Sequence, residues 1–138
     1  MSRFVFVGEK RSPRAIRLNV RWEDGRLSGK TLHDALRACG VDPAGELFVN
    51  LFREGPGRRV DRAELRRLRA LAADGVVIVA MGCKVQRALA RVGVLFLPMV
   101  HPAARGVIRT RAVYQAHVAS VLGAVPPRSC SRPPGCAA

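Results

Sequence analysis

Aromatic residues are scarce, at 5% of a chain of 138 residues. A core of Val, Leu, Ile and Ala must therefore do the packing, which favours layered strands and helices. No apolar run approaches the roughly 18–20 residues that cross a bilayer, and the four-residue run near the N-terminus is too short for a signal peptide. No membrane-spanning helix or membrane partner is expected, and a cytoplasmic protein is. Four cysteines, Cys39, Cys83, Cys130 and Cys136, form no C-x-x-C pair and no zinc-type spacing, so neither a metal site nor a disulfide framework is indicated. Cys83, at a helix start, reads as a small buried residue before it reads as an activated thiol. The stretch Gly25 to Thr31 (GRLSGKT) imitates a phosphate-binding P-loop, but only three residues separate its glycines and the preceding segment is polar rather than a strand.

Acidic residues are few as well, 10 against 24 Lys and Arg, giving a net charge of +14 and a pI near 11.5. Such a field fits a polyanionic partner, DNA or another nucleic acid, better than a small-molecule substrate. Lys10, Lys30 and Lys84 are the only lysines. Arginine suits bidentate phosphate contacts, although a GC-rich genome would raise it too.

Along the chain, Arg3 to Val7 (RFVFV) reads as a buried strand stopping at Gly8, followed by a polar, arginine-rich loop from Glu9 to Ser28. A helix is predicted from Gly29 to Cys39, with Leu32, Ala35, Leu36 and Cys39 on one face and Gly40 as its stop. Leu47 to Val49 is a second strand ending at Asn50, and Gly55-Pro56-Gly57 is loop. A helix over Asp61 to Ala73 turns Leu65, Leu68 and Ala72 inward and Arg62, Arg66 and Arg69 to a basic face. Val76 to Ala80 (VVIVA) is the clearest strand, suited to the centre of a parallel sheet. A helix from Cys83 to Arg91, with Val85, Ala88, Leu89 and Val92 on one face, leads to a fourth strand, Val94 to Leu97. A last helix, Thr110 to Leu122, gathers Tyr114, Val118, Val121 and Leu122. The alternation predicts an α/β fold: a three-layer α/β/α domain with a four-stranded parallel sheet, over residues 1–124, and a flexible Pro/Ser-rich tail over 125–138.

Open parallel sheets bind ligands where their strands end. Those positions carry Gly8-Glu9-Lys10, Asn50, Met81-Gly82-Cys83 and His101-Pro102, which brings an acid, an amide, a glycine turn and a histidine to one rim. Each has a plainer reading: Glu9 as a surface ion-pair partner of Lys10 or Arg11, Asn50 as a turn former, His101 as a packed loop residue.

The motifs VGE (Val7 to Glu9), SGKTLHDALRACG (Ser28 to Gly40), LFVNLF (Leu47 to Phe52) and VVIVAMG followed by VHP ending at Pro102 occur together in order. In this the chain resembles the uracil-DNA glycosylase superfamily, most closely its bacterial and archaeal branch that usually carries an iron-sulfur cluster. The resemblance implies a uracil-DNA glycosylase-like fold and removal of uracil, or a related deaminated base, from DNA. It implies catalytic roles for Glu9, orienting water or stabilising a cationic sugar, and for His101, donating to the departing base. By the same resemblance Asn50 reads the base edge, Gly8 allows close approach, and Trp22 is the nearest aromatic to the family's stacking position, which Asp24 occupies. Lys10, Arg11, Lys30, Gly82, Lys84, Arg105, Arg109 and Arg111 are the candidate DNA-binding positions. The loop Ala103 to Gly106 stands where the family inserts a wedge into the minor groove; alanine is a poor wedge, leaving Arg105 to fill the gap or hold a phosphate.

Departures from the family pattern also carry information. Lys10-Arg11-Ser12 precede Pro13 where a small residue normally stands, and Ala103 replaces the usual serine after His-Pro. No residues correspond to the cluster cysteines, so a metal-free monomeric enzyme with no cofactor is expected. Two other readings are a catalytically silent protein that recognises modified or abasic DNA, and a nucleoside-processing enzyme on a similar sheet.

Overall fold

The strand-forming runs assemble into one sheet in which each strand has a defined parallel neighbour. The computed structural model describes residues 2–123. Within them, β1 (Phe4–Gly8), β2 (Leu47–Asn50), β3 (Val77–Met81) and β4 (Leu97–Met99) form an all-parallel sheet of order β2-β1-β3-β4. Helices α1 (Pro13–Arg17), α2 (Ser28–Ala38), α3 (Arg62–Ala73), α4 (Cys83–Arg91) and α5 (Arg111–Gly123) complete the architecture. The residue-124 boundary and the expected tail 125–138, with Cys130 and Cys136, lie outside the described residues.

The period-two alternation of β1 divides the core. Phe4 and Phe6 face α2 and α5, packing with Leu32, Leu36, Tyr114 and Val118; Val5 and Val7 face α3 and α4, packing with Leu68, Val85 and Leu89. All five β1 residues are buried, as an interior strand covered on both faces requires. The result is the expected α/β arrangement with helices on both sides of the sheet. The few aromatics are concentrated where they matter: Phe6 stacks on Phe48 with centroids 5.5 Å apart.

Several boundaries differ from the sequence expectation. The loop over residues 9–28 contains α1, N-capped by the Ser12 hydroxyl, which accepts from the Ala15 N–H, and a 3₁₀ turn at Trp22–Asp24. The fourth strand is Leu97–Met99 rather than residues 94–97. Val94 is buried below the sheet while Leu95 is 91% exposed, so apolar content there marks a connection. Pro98 is tolerated inside the strand because β4 is at the sheet edge. On α3 the inward residues are Leu65, Leu68 and Leu71, while Ala72 is exposed; on α4 Val92 is exposed because the helix has already ended at Arg91. Cys83 is exposed rather than buried, since the first turn of α4 lies at the rim.

Strand order reverses between β1 and β3, so the connections leaving their carboxyl ends diverge and open a crevice. No helix among the described residues is long and apolar enough to cross a membrane.

Candidate active site

The β1–β2 register pairs Gly8 with Asn50. Pairing continues past the strands: Leu51 N–H donates to the Gly8 carbonyl and Phe52 N–H to the Glu9 carbonyl, both at 2.9 Å, so the Glu9 backbone is fixed by the run leaving β2. A Cβ on Gly8 would fall 2.9 Å from the Trp22 indole and 3.0 Å from Asn50 Oδ1; glycine is what lets that indole lie against the strand end. Trp22 arrives there on its 3₁₀ turn, which the Asp24 carboxylate closes by accepting the Arg21 N–H at 2.8 Å. Trp22 Nε1–H donates to Asn50 Oδ1 at 2.8 Å, and its ring meets His101 edge-on with centroids 5.7 Å apart.

His101 follows β4 by two residues, and its Nδ1 accepts the Ala103 N–H at 3.0 Å. A nitrogen that accepts carries no proton, so the neutral ring has its proton on Nε2 and presents a donor there. Burial pushes the His101 pKa below the ordinary imidazole value, and the Glu9 carboxylate opposes that shift. The residue is thereby held as a neutral donor.

What positions His101 was not visible as site chemistry in the sequence. Beyond the ladder, the Val100 backbone is clamped from α5: His117 Nε2 accepts its N–H at 2.9 Å and Tyr114 Oη donates to its carbonyl at 3.0 Å. The i, i+3 spacing of Tyr114 and His117 was the available signal. Gln86, also missed, donates from Nε2 to the Ala80 and Met99 carbonyls at 3.1 and 3.2 Å and ties the ends of β3 and β4 together. Gly82 adopts φ +95°, a backbone state that favours glycine, in the turn facing His101.

His101 stands between two cavities. One, of about 170 Å³, is walled by Trp22, Asn50, His101, Val20, Leu27 and Gly29. An apolar cavity of about 150 Å³ accepts a single six-membered ring, so this one is sized for one small planar ring. The other, about 540 Å³, lies on the Glu9 side and is bordered by Glu9, Gly82, Lys84, His101 and His117. The rim residues therefore converge on His101 from two directions, and Glu9 does not border the smaller cavity. The Glu9 carboxylate approaches Lys84 Nζ at 3.8 Å, not its sequence neighbours.

The basic candidates divide into engaged and unengaged groups. Lys10 Nζ donates to the carbonyls of Gly55 and Gly57 at 2.7 and 2.6 Å, and Arg11 pairs with Glu54; both hold the loop after β2. Lys30 and Arg111 reach Asp34 at 2.8 and 3.9 Å, away from the cavities. Arg105 and Arg109 instead line a hollow of about 420 Å³ with Ser28, Thr31 and Ala103, adjoining the ring-sized cavity through Leu27, Ser28 and Ala103. Between them Val107 is 77% exposed, an apolar tip that the sequence reading did not single out.

No group of three or more His, Cys, Asp or Glu side chains among the described residues is arranged to hold a metal ion. No protein-family model matches the chain, and no curated protein matches it.

Proposed function

We propose that the protein is a DNA glycosylase that hydrolyses the N-glycosidic bond of uracil or a related deaminated base. The observation that carries this reading is that Asn50 and His101 both line a cavity sized for one ring, while His101 also borders a second cavity with Glu9. Heterolysis of the bond leaves positive charge on the sugar and negative charge on the departing base. His101 Nε2–H is a neutral donor for the base oxygen as that charge develops. Glu9 orients the attacking water or stabilises the cationic sugar; the water oxygen bonds to C1′ as the C1′–N bond breaks, the bonding pair leaves with the base, and the proton the water gives up neutralises the base anion. A base in a duplex must first leave its stack to enter such a cavity. Arg105 and Arg109, with no hydrogen-bond or ion-pair partner among the described residues, are suited to phosphates, and Val107 supplies an apolar tip for the space a flipped base vacates.

The test uses excess single- and double-stranded oligonucleotide containing one uracil, followed by alkaline cleavage of abasic sites. Multiple turnovers that vanish in Glu9→Gln and His101→Ala support the enzyme. Tight, salt-sensitive binding without cleavage of uracil, hypoxanthine or xanthine DNA overturns it in favour of a silent DNA-binding protein. Release of free base from deoxyuridine without DNA would instead identify a nucleoside-processing enzyme.

A further inference from the structure

Trp22 is held too specifically to serve as a simple stacking face. Its Nε1–H is spent on Asn50 Oδ1 at 2.8 Å, its ring is edge-on to His101, and two glycines from different elements make room for it. A Cβ on Gly8 would meet the indole at 2.9 Å, and one on Gly29 would meet the Trp22 carbonyl at 3.2 Å. We infer that Trp22 is a positioning residue whose indole N–H fixes the orientation of the Asn50 amide, so that the cavity accepts bases with a lactam edge and rejects their amino counterparts. The inference rests on the glycosylase reading above and specifies its substrate class.

An amide side chain can be turned end for end at almost no steric cost, and only its partners decide which end faces where. An indole nitrogen donates and never accepts, so the atom opposite Trp22 must be the oxygen. The Asn50 Nδ2 hydrogens, which have no protein partner among the described residues, are then free to donate to a ligand. The second lone pair of Oδ1 remains available to accept. A donor beside an acceptor matches a ring carbonyl next to a ring N–H, the edge of uracil, hypoxanthine and xanthine. Cytosine and adenine present an exocyclic amine next to a bare ring nitrogen, the reverse pattern. Pairing with them requires the amide to flip, which sets the Asn50 NH₂ against the indole N–H, donor facing donor. Without the indole N–H nothing of this kind opposes the flip.

The chain has one tryptophan, so Trp22 can be altered alone both by mutation and by biosynthetic replacement. Initial-rate kcat/KM is measured on single-stranded oligonucleotides carrying one uracil, cytosine, hypoxanthine or adenine. The proteins compared are the unaltered protein, Trp22→Phe, and protein in which β-benzothienylalanine replaces tryptophan, keeping the bicyclic shape but exchanging N–H for sulfur. The expected result is a fall of about tenfold or more in the uracil-to-cytosine and hypoxanthine-to-adenine ratios in both altered proteins, the scale of one lost hydrogen-bond preference. A purely structural role lowers both rates together and leaves the ratios unchanged, which overturns the inference. If Trp22→Phe does not fold, the isosteric protein decides alone. Failure of the unaltered protein to release any of the four bases overturns the glycosylase reading, and with it this inference, a result distinct from activity with unchanged ratios.

Discussion

His117 Nε2 accepts the Val100 N–H at 2.9 Å, and Tyr114, one turn earlier on α5, donates to the carbonyl of the same residue at 3.0 Å. Val100, the residue before His101, thus has both its backbone N–H and its carbonyl engaged by one helix, whose only candidate site residue is Arg111 at its N-terminus. His117→Ala leaves the N–H without its acceptor and is expected to cost about 1–3 kcal/mol of stability, while Tyr114→Phe costs about 1 kcal/mol. Urea denaturation monitored by circular dichroism measures both. Because His101 follows directly on Val100, the proposed glycosylase reading expects base release to fall in both variants even where the fold persists.

On the proposed glycosylase reading, His101→Ala removes the donor to the leaving base, and a loss of about 10²–10³ in kcat is expected, the scale of one such donor. Glu9→Gln keeps the shape of the side chain but removes its charge, with an expected loss of about 10²–10⁴. Single-turnover kinetics on uracil-containing oligonucleotide separates these losses from changes in binding.

Acid should destabilise the protein through His33. This buried α2 residue stacks on Phe48 with centroids 5.4 Å apart, and burial lowers its pKa, with a backbone hydrogen bond to Trp22 opposing. Its folded pKa lies below that of the unfolded chain, so the unfolded state takes up the proton first. The associated stability is fully present above the unfolded imidazole pKa of about 6.5 and is lost as pH falls through the folded value. His101, shifted in the same direction, adds to the slope. Thermal unfolding of His33→Phe across pH 5 to 8 is expected to show a shallower pH dependence than the unaltered protein; an identical slope would exclude His33 as the source.

On the proposed DNA-binding reading, Arg105 and Arg109 act differently from Lys10 and Arg11. Arg105→Ser and Arg109→Ser are each expected to reduce the slope of log K against log salt by about one, the contribution of one phosphate contact. Lys10→Met and Arg11→Met remove groups already bound to the 54–57 loop, so the slope stays unchanged while that loop gains protease sensitivity. Fluorescence anisotropy over a salt series, with limited proteolysis, distinguishes the two pairs.

Gly8→Ala tests the packing of the strand end. The added methyl would lie 2.9 Å from the indole and 3.0 Å from Asn50 Oδ1, so one of them must move. A cost of about 1–3 kcal/mol, the usual range for overpacking, is expected, with a change in the emission of the single tryptophan. Unaltered emission would mean that the indole had not moved.

The periodicities that survive any rearrangement were legible in the sequence. Alternation in FVFV, the uninterrupted VVIVA and the 3.6-residue spacing of Leu32, Ala35 and Leu36 follow from which side chains must leave water, and they fixed the parallel layers and helix faces. So did the convergence of strand ends, because parallel strands deliver all their carboxyl ends to one rim. Tertiary structure alone decided the rest. Strand β4 begins at Leu97, the last residue of the apolar run and three residues later than expected, because the ladder to β3, not hydrophobicity, selects its register, and an edge position accepts Pro98. The division of the basic residues into structural ones and free ones depends on which carbonyls and carboxylates the loops bring near. Trp22 in the sequence is an aromatic in a polar loop; that its N–H meets Asn50 rather than water follows from the bare strand end at Gly8, a distance of 28 residues that only folding closes.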